Sequence, residues 1–494
     1  MTDATAEPIV APAPAPASAT AAGIEPDGAP LDRAALARRA GEPAEPAPVR
    51  IAHLGLGAFH RAHQAWYTDV ADPAGEWGIA AFTGRSPQAA DELAAQGGLY
   101  TLLERSADGD AVSVVDSISE AVDGARVDRL VETIAAPGTA LVTLTITEAG
   151  YAVDADGRPD ESNTDVRSDL DWLRRNLAAS DFDLSAPPRT ALARLLAGVE
   201  ARRRSGAGPL AIVSCDNLPS NGDLTRAAML ELAERTSPAT LEYLSSHVSF
   251  VSTSIDRITP KTTPEDVAAV ARLSGWRDRS PVVTEPFHDW VLSGEFGSGR
   301  PEWERAGARF VDDIDPFERR KLWLLNGAHT LLAYAGAARG HRTVAEAVAD
   351  PVSRAWVEEF WSEAVRHLPA ADLDLDRYRA ALLERFDNAR IQHLLAQIGQ
   401  DGVTKLRVRI APVLLAERAA GRDGAASVRA LGAWVAAARA GALPADRAGL
   451  ALAEAAAESR ERAVVALLRL VDPALVEDPA VVAAVAAAAG ARRD

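Results

Sequence analysis

"VRIAHLGLGAFHRAHQAWYTD", Val49 to Asp69, holds a strand, a glycine turn and a helix start in one short run. Val49 to Leu54 is mostly apolar and reads as a buried strand. Gly55-Leu56-Gly57 follows, and a helix is expected from about Phe59. A glycine turn that delivers a strand into a helix N-terminus lets backbone N–H groups approach a pyrophosphate, which the helix dipole also favours. Gly55, Gly57, Phe59 and His60 are therefore candidate cofactor-binding residues. His60 stands where such a turn usually carries a third glycine.

Downstream, "WGIAAFTGR", "TALVTLTITEAGY" and "PLAIVSCDN" carry further strand signals, separated by helical stretches such as "SPQAADELAAQ". That alternation predicts an α/β fold with a parallel sheet. The second strand ends in Thr83, Gly84 and Arg85 rather than in the acidic residue that commonly binds ribose hydroxyls. Arg85 suits adenine stacking or a 2′-phosphate, so NAD is expected and NADP stays open.

At 494 residues, with 48% hydrophobic and 25% charged residues, the chain has globular composition and room for two large domains. We expect a disordered Ala/Pro-rich tail over 1–45, a Rossmann-type domain over 46–290 and a mostly α-helical substrate domain over 291–494. The opening segment has neither a basic start nor an apolar core of signal-peptide length. A net charge of −18 argues against nucleic acid and anionic membranes as partners. The single cysteine, Cys215, excludes an intrachain disulfide framework and fits a reducing compartment. No CxxC or HExxH occurs, and His60 and His63 have no carboxylate or cysteine close in sequence, so no metal is expected. Before the Ala-rich C-terminal region there is no run of about eighteen uncharged apolar residues. The expectation is a cytoplasmic monomer or small homo-oligomer.

A second stretch carries the chemistry. In "DIDPFERRKLWLLNGAHTLLAY", Asp315, Pro316 and Glu318 have the form of an N-cap, a first-turn proline and a capping-box glutamate. A helix is predicted from Asp315 to about Tyr334. At ~100° per residue, Lys321, Glu318, His329 and Asn326 share one arc of a helix that is otherwise apolar nearly all round. Burial is costly for a lysine unless it is paired or loses its proton, and a lowered pKa is what a general base needs. The structural alternative is that Lys321 reaches solvent, Glu318 only caps, and Asn326 and His329 satisfy core backbone groups.

"SCDNLPSNG" closes a later strand, where parallel sheets bind ligands, and the Asn217 amide suits a developing oxyanion. The same residues can also simply build a turn. In "SIDRITPKTT", Asp256 and Arg257 suit either an ion pair or the site.

Together, "LGLGAFHRAHQAWYTD", "LTITEAGY", "SCDNLPSNG", "DRITP", "VVTEPFHDWVL" and the K-x4-N-x2-H of "KLWLLNGAH" resemble the polyol-specific long-chain dehydrogenases, the mannitol dehydrogenase family. The resemblance spans about residues 50–440. It implies an NAD(P)-dependent, metal-independent oxidoreductase in which Lys321 is the general base, Asn217 and Asn326 form the oxyanion hole, and His329 orients the substrate. It also places Asp256 and Glu318 near the reacting centre.

For the substrate, "QDGVTKLRVRI" offers Lys405 and Arg409 in what reads as an extended or loop segment. The K-x3-R form is similar to fructuronate reductases, and a cationic pair suits a sugar-acid carboxylate. A polyol such as mannitol is the alternative. The β-hydroxyacid dehydrogenases show K-x3-N rather than K-x4-N. A non-catalytic sugar or nucleotide sensor would have no need of Lys321.

Overall fold

The computed structural model describes residues 28–154, 156–369 and 373–490. Eight strands make the main sheet: β1 Val49–Leu54, β2 Gly78–Phe82, β3 Ile118–Val122, β4 Leu141–Leu144, β5 Leu210–Ser214, β6 Val248–Asp256, β7 Asp289–Ser293 and β8 Arg309–Phe310. Their spatial order is β8-β7-β6-β5-β4-β1-β2-β3. Strands β1 to β6 run parallel. β7 is antiparallel to β6, and β8 lies parallel to β7. The central strands are buried on both faces, Ala52, Ala80 and Val142 on one and Ile51, Ile79 and Leu141 on the other, which is why they read as continuous apolar runs. The chain runs outward through β2 and β3, then crosses back to β4. The order therefore reverses between β1 and β4, where such sheets open a ligand crevice. The glycine turn lies at that point.

Two expected boundaries are corrected. The tail assigned to 1–45 does not extend so far: Ala29–Pro30 pairs with Trp276–Arg277, and Arg33–Ala40 is a helix capped by Asp32. Leu31 buries with Leu99 and Trp276, and Arg33 pairs with Asp116 at 2.7 Å. A few anchoring side chains hold this segment, which its average composition conceals. Residues 1–27 of the expected tail lie outside the described residues. The boundary at 290 cuts through β7, because the sheet continues antiparallel beyond its βα units and ends at Phe310.

The remainder is helical, from Asp315–Arg320 to Pro479–Gly490, around one core that includes Leu331, Phe360, Trp361, Leu406, Leu431 and Trp434. Its central helix, 315–336, is not regular: Asp315–Arg320 and Ala328–Leu331 are α, whereas Lys321–Gly327 and Leu332–Gly336 are π-helical. Bonding from i to i+5 draws residues five apart toward one face, and Lys321 and Asn326 are five apart. Gly327 lets this helix approach the Phe360 ring, which a Cβ would strike.

Candidate active site

The loop after β5 is pinned before it reaches the site. Asn221 receives Thr253 N–H at 2.9 Å and donates to Thr253 and Asp216 carbonyls at 3.0 and 3.1 Å, tying the loop to β6. Asp216 accepts the Leu218 N–H and the Tyr151 hydroxyl. The residues able to build a turn do build one, and the turn presents Asn217 outward, exposed.

Lys321 meets it from the helical domain. Its Nζ donates to Asn217 Oδ1 and to the Ile255 carbonyl, both at 2.6 Å. Two N–H bonds leave a neutral amine its lone pair, while Asn217, engaged through its oxygen, keeps its NH2 group free to donate. Burial pushes the amine below its ordinary value; Asp256 pulls it back and Arg385 adds to the push. The Asn326 amide makes no hydrogen bond among the described residues. Glu318 differs from its expected role as a capping box: the helix carries no side-chain cap, and the carboxylate instead accepts Ser220 N–H at 3.1 Å. The partner across the domains outcompetes the local cap. Burial raises Glu318 to about 7, against the lowering pull of that N–H.

Asp256 ends β6, one residue beyond the carbonyl that holds Lys321. It does not pair with Arg257, which bonds Glu104 and stacks on Trp66. Arg385, from the helix Leu375–Phe386, grips Asp256 with two bonds of 2.6 and 3.0 Å and Glu285 at 2.7 Å. Burial works to raise the Asp256 carboxyl, and Arg385 overrides it and holds the group below its usual range. Burial raises Glu285 to about 7 despite the same arginine.

Further along the central helix lies a cluster of different character. Lys405 and Arg409 sit on a helix, Gly402–Arg409, not the expected extended or loop segment, and their spacing of four puts both on one face. Lys405 donates to the Ile398 carbonyl at 2.8 Å and Arg409 to the Thr330 hydroxyl at 3.2 Å. Neither forms an ion pair among the described residues. Burial lowers both, Arg409 to about 10. Beside them, His329 lies edge-on to His393 with centroids 4.7 Å apart. Burial and then His393 hold His329 well below its ordinary value, so it is neutral. His329 Nε2, His393 Nδ1 and Arg409 Nε are buried without a hydrogen-bond partner.

At the glycine turn, Gly55 has φ +116°, and a Cβ there would run into the Thr145 carbonyl. Gly57 caps the helix that starts at Ala58, and an added Cβ would find nothing nearer than 3.7 Å, so this side of the turn stands open. That cradle fits a pyrophosphate. Phe59 stacks on His63, and Arg85 is exposed beyond β2. His60, expected to touch cofactor, is corrected: its ring is fully buried and stacks on His53 of β1 with centroids 3.3 Å apart. It fills the space that a third glycine normally leaves between helix and strand, and the helix turns π-helical over Arg61–Ala65.

Among the described residues no three His, Cys, Asp or Glu side chains group as a metal site, and no helix is long and apolar enough to cross a membrane. Local sequence pattern gives no role to Arg385, Glu285 or His393, and it offers His63 only as a metal ligand beside His60 that lacks partners. Glu285 lay inside the "VVTEPFHDWVL" motif, a usable signal; Arg385 and His393 stood in no quoted motif.

A family model described as the mannitol dehydrogenase Rossmann domain matches residues 49–305, and the mannitol dehydrogenase C-terminal domain model matches 313–491. The chain is 35% identical over 372 residues to D-mannonate oxidoreductase of Escherichia coli (strain K12), covering 73% of this chain and 74% of that protein. It is 37% identical over 407 residues to D-arabinitol 4-dehydrogenase of Ralstonia nicotianae, covering 80% and 83%. Pseudomonas fluorescens mannitol 2-dehydrogenase, solved as a ternary complex with NAD and D-mannitol, matches with a TM-score of 0.73 at 32% identity, covering 90% of this chain and 92% of that one.

Proposed function

The chain belongs to the mannitol dehydrogenase family of oxidoreductases, and from that premise we propose that it interconverts a secondary alcohol and a ketone of a sugar acid, D-mannonate and D-fructuronate being the preferred pair, with NAD(H). When bound, the nicotinamide supplies or accepts the hydride. Gly55, Gly57 and Phe59 would hold its phosphates and Arg85 its adenosine end.

The side chains divide the remaining work. Neutral Lys321 takes the hydroxyl proton onto its free lone pair while Asn217 and Asn326 amides donate to the oxygen as charge gathers there. In the reverse direction, protonated Lys321 returns the proton. Neutral His329 orients a substrate hydroxyl. Glu318, near 7 and joined to the Asn217 loop through Ser220, is placed to exchange protons with the amine's surroundings.

The observation that favours an acid over a neutral polyol is the pair Lys405 and Arg409, a half-buried and a buried cation on one helix face that form no ion pair among the described residues, Asp401 and Asp446 acting on Lys405 only at longer range. In a chain of net charge −18, such a pair is stabilised by an anion brought from outside. Following reduced nicotinamide absorbance with NADH and NADPH against fructuronate, tagaturonate and fructose tests this. Fructuronate should give the highest kcat/KM, with NADH. Efficient fructose reduction with negligible fructuronate reduction would replace this reading with a mannitol 2-dehydrogenase.

A further inference from the structure

The groups around the Lys321 amine come from both domains. Asp256 ends β6, Asp289 begins β7, and His63 lies on the first helix of the nucleotide domain; Glu318 and Arg385 belong to the helical domain. Glu318 crosses to the nucleotide domain through the Ser220 N–H, and Arg385 crosses as a cation. Its side chain, 3% exposed, leaves the helical domain and lies on two carboxylates of the other, Asp256 and Glu285, themselves 10% and 3% exposed.

The segment it grips is held from every side. Glu285 accepts Ile258 N–H at 2.5 Å, and Arg257 Nε donates to the Glu285 carbonyl at 3.0 Å. Arg257 Nη1 donates to the Ala62 carbonyl at 2.9 Å. Residues 255–258 thus form a bracket: Ile255 carries the Lys321 amine on its carbonyl, Asp256 is the carboxylate that pulls on it most, and Arg385 clamps the other side of Asp256.

We propose that Arg385 is a positioning residue that sets the proton affinity of Lys321 through docking of the helical domain, with Glu285 as its counterweight. The proposal rests on Lys321 being the base. The Arg385 charge opposes protonation of the amine while Asp256 favours it, and Glu285, sharing the same guanidinium, weakens the arginine's side of that balance. With the domains docked, Lys321 faces this charge in a desolvated setting and gives up its proton readily. If they separate, burial and the Arg385 charge are lost together, and the amine returns to an ordinary, protonated lysine. The base is therefore assembled only in the closed arrangement.

Two substitutions move the charge in opposite senses. Arg385→Gln removes the cation; Glu285, already near 7, takes up a proton before Asp256 does, so Asp256 stays ionised beside Lys321. The rising limb of the pH profile for alcohol oxidation should then move upward by about one unit or more. Glu285→Gln, close to isosteric, leaves the arginine less compensated and should move the same limb downward. A structural prop would lower kcat or Tm without shifting the limb in opposite directions. The reactivity of the Lys321 amine toward an acylating reagent against pH, read by mass spectrometry with exposed Lys261 as internal reference, gives the same shifts without turnover. Opposite shifts in labelling with no oxidation of any polyol or sugar acid would overturn the proposed function and leave this inference standing. Turnover in which neither variant moves the limb or the labelling would overturn the inference. If Arg385→Gln fails to fold, Glu285→Gln decides alone: an unmoved or raised limb refutes it.

Discussion

Lys321, on the central helix, and Lys405, packed beside it, are both shielded in part from solvent, yet their surroundings differ. Around Lys321 each buried carboxylate has a cation of the protein bound to it: Arg385 holds Asp256 and Glu285, and Arg257 holds Glu104. Around Lys405 no ion pair forms among the described residues: Arg409 adds to the positive charge, Asp401 and Asp446 offset it only at longer range, and buried nitrogens of His329 and His393 stay unpaired. A self-compensated site tunes the protonation of one group and needs no ligand charge. A cation pair with no carboxylate bound to it leaves its donors available to an anionic ligand. Under the proposed function, the first end would perform the chemistry and the second would choose what is bound.

The largest test strikes the balanced end. Lys321→Ala should lower kcat by about 10²–10⁴-fold while NADH still binds, as tryptophan fluorescence quenching would report. Near-normal turnover would remove Lys321 from the mechanism and erase the distinction drawn above. Next come the amides: Asn217→Ala and Asn326→Ala should each cost about 3 kcal/mol in kcat/KM, with the double variant losing less than the sum. Effects confined to KM would make them binding groups only.

Lys405→Met probes the uncompensated end. Use of fructuronate should fall roughly ten- to a hundredfold, with fructose affected much less, because only the anion loses a charge-assisted bond. Equal losses on both substrates would mean that Lys405 serves packing.

The smallest effect is on stability. Glu285 and Glu318 titrate near 7 in the fold and at ordinary carboxylate values when unfolded, so the folded state binds protons that the unfolded state has lost. Both therefore destabilise the fold as pH rises from about 4.5 through 7. Asp256 has the opposite sign, its contribution being lost as pH falls. Glu318→Gln should flatten the decline in Tm between pH 5 and 8, measured by calorimetry; a steeper decline would contradict the burial argument.

The fold class was legible in local pattern because β1, its glycine turn and the following helix are consecutive, and local order follows from apolar spacing and from what glycine permits. Lys321, Asn326 and His329 stood out for the same reason, since an apolar helix makes any polar residue conspicuous; the π-helical turns over Lys321–Gly327, which change the angle between them, did not. What the local pattern misjudged depended on partners distant in sequence. Glu318 looked like a cap until Ser220 claimed it, and Lys405 and Arg409 looked extended until the domain core fixed a helix. Arg385 was indistinguishable from any surface arginine in "LLERFDN", since its meaning comes from Asp256 and Glu285, about a hundred residues or more away. Periodicity carries short-range information, whereas charge pairing and burial are set by whichever segments the folded chain brings together.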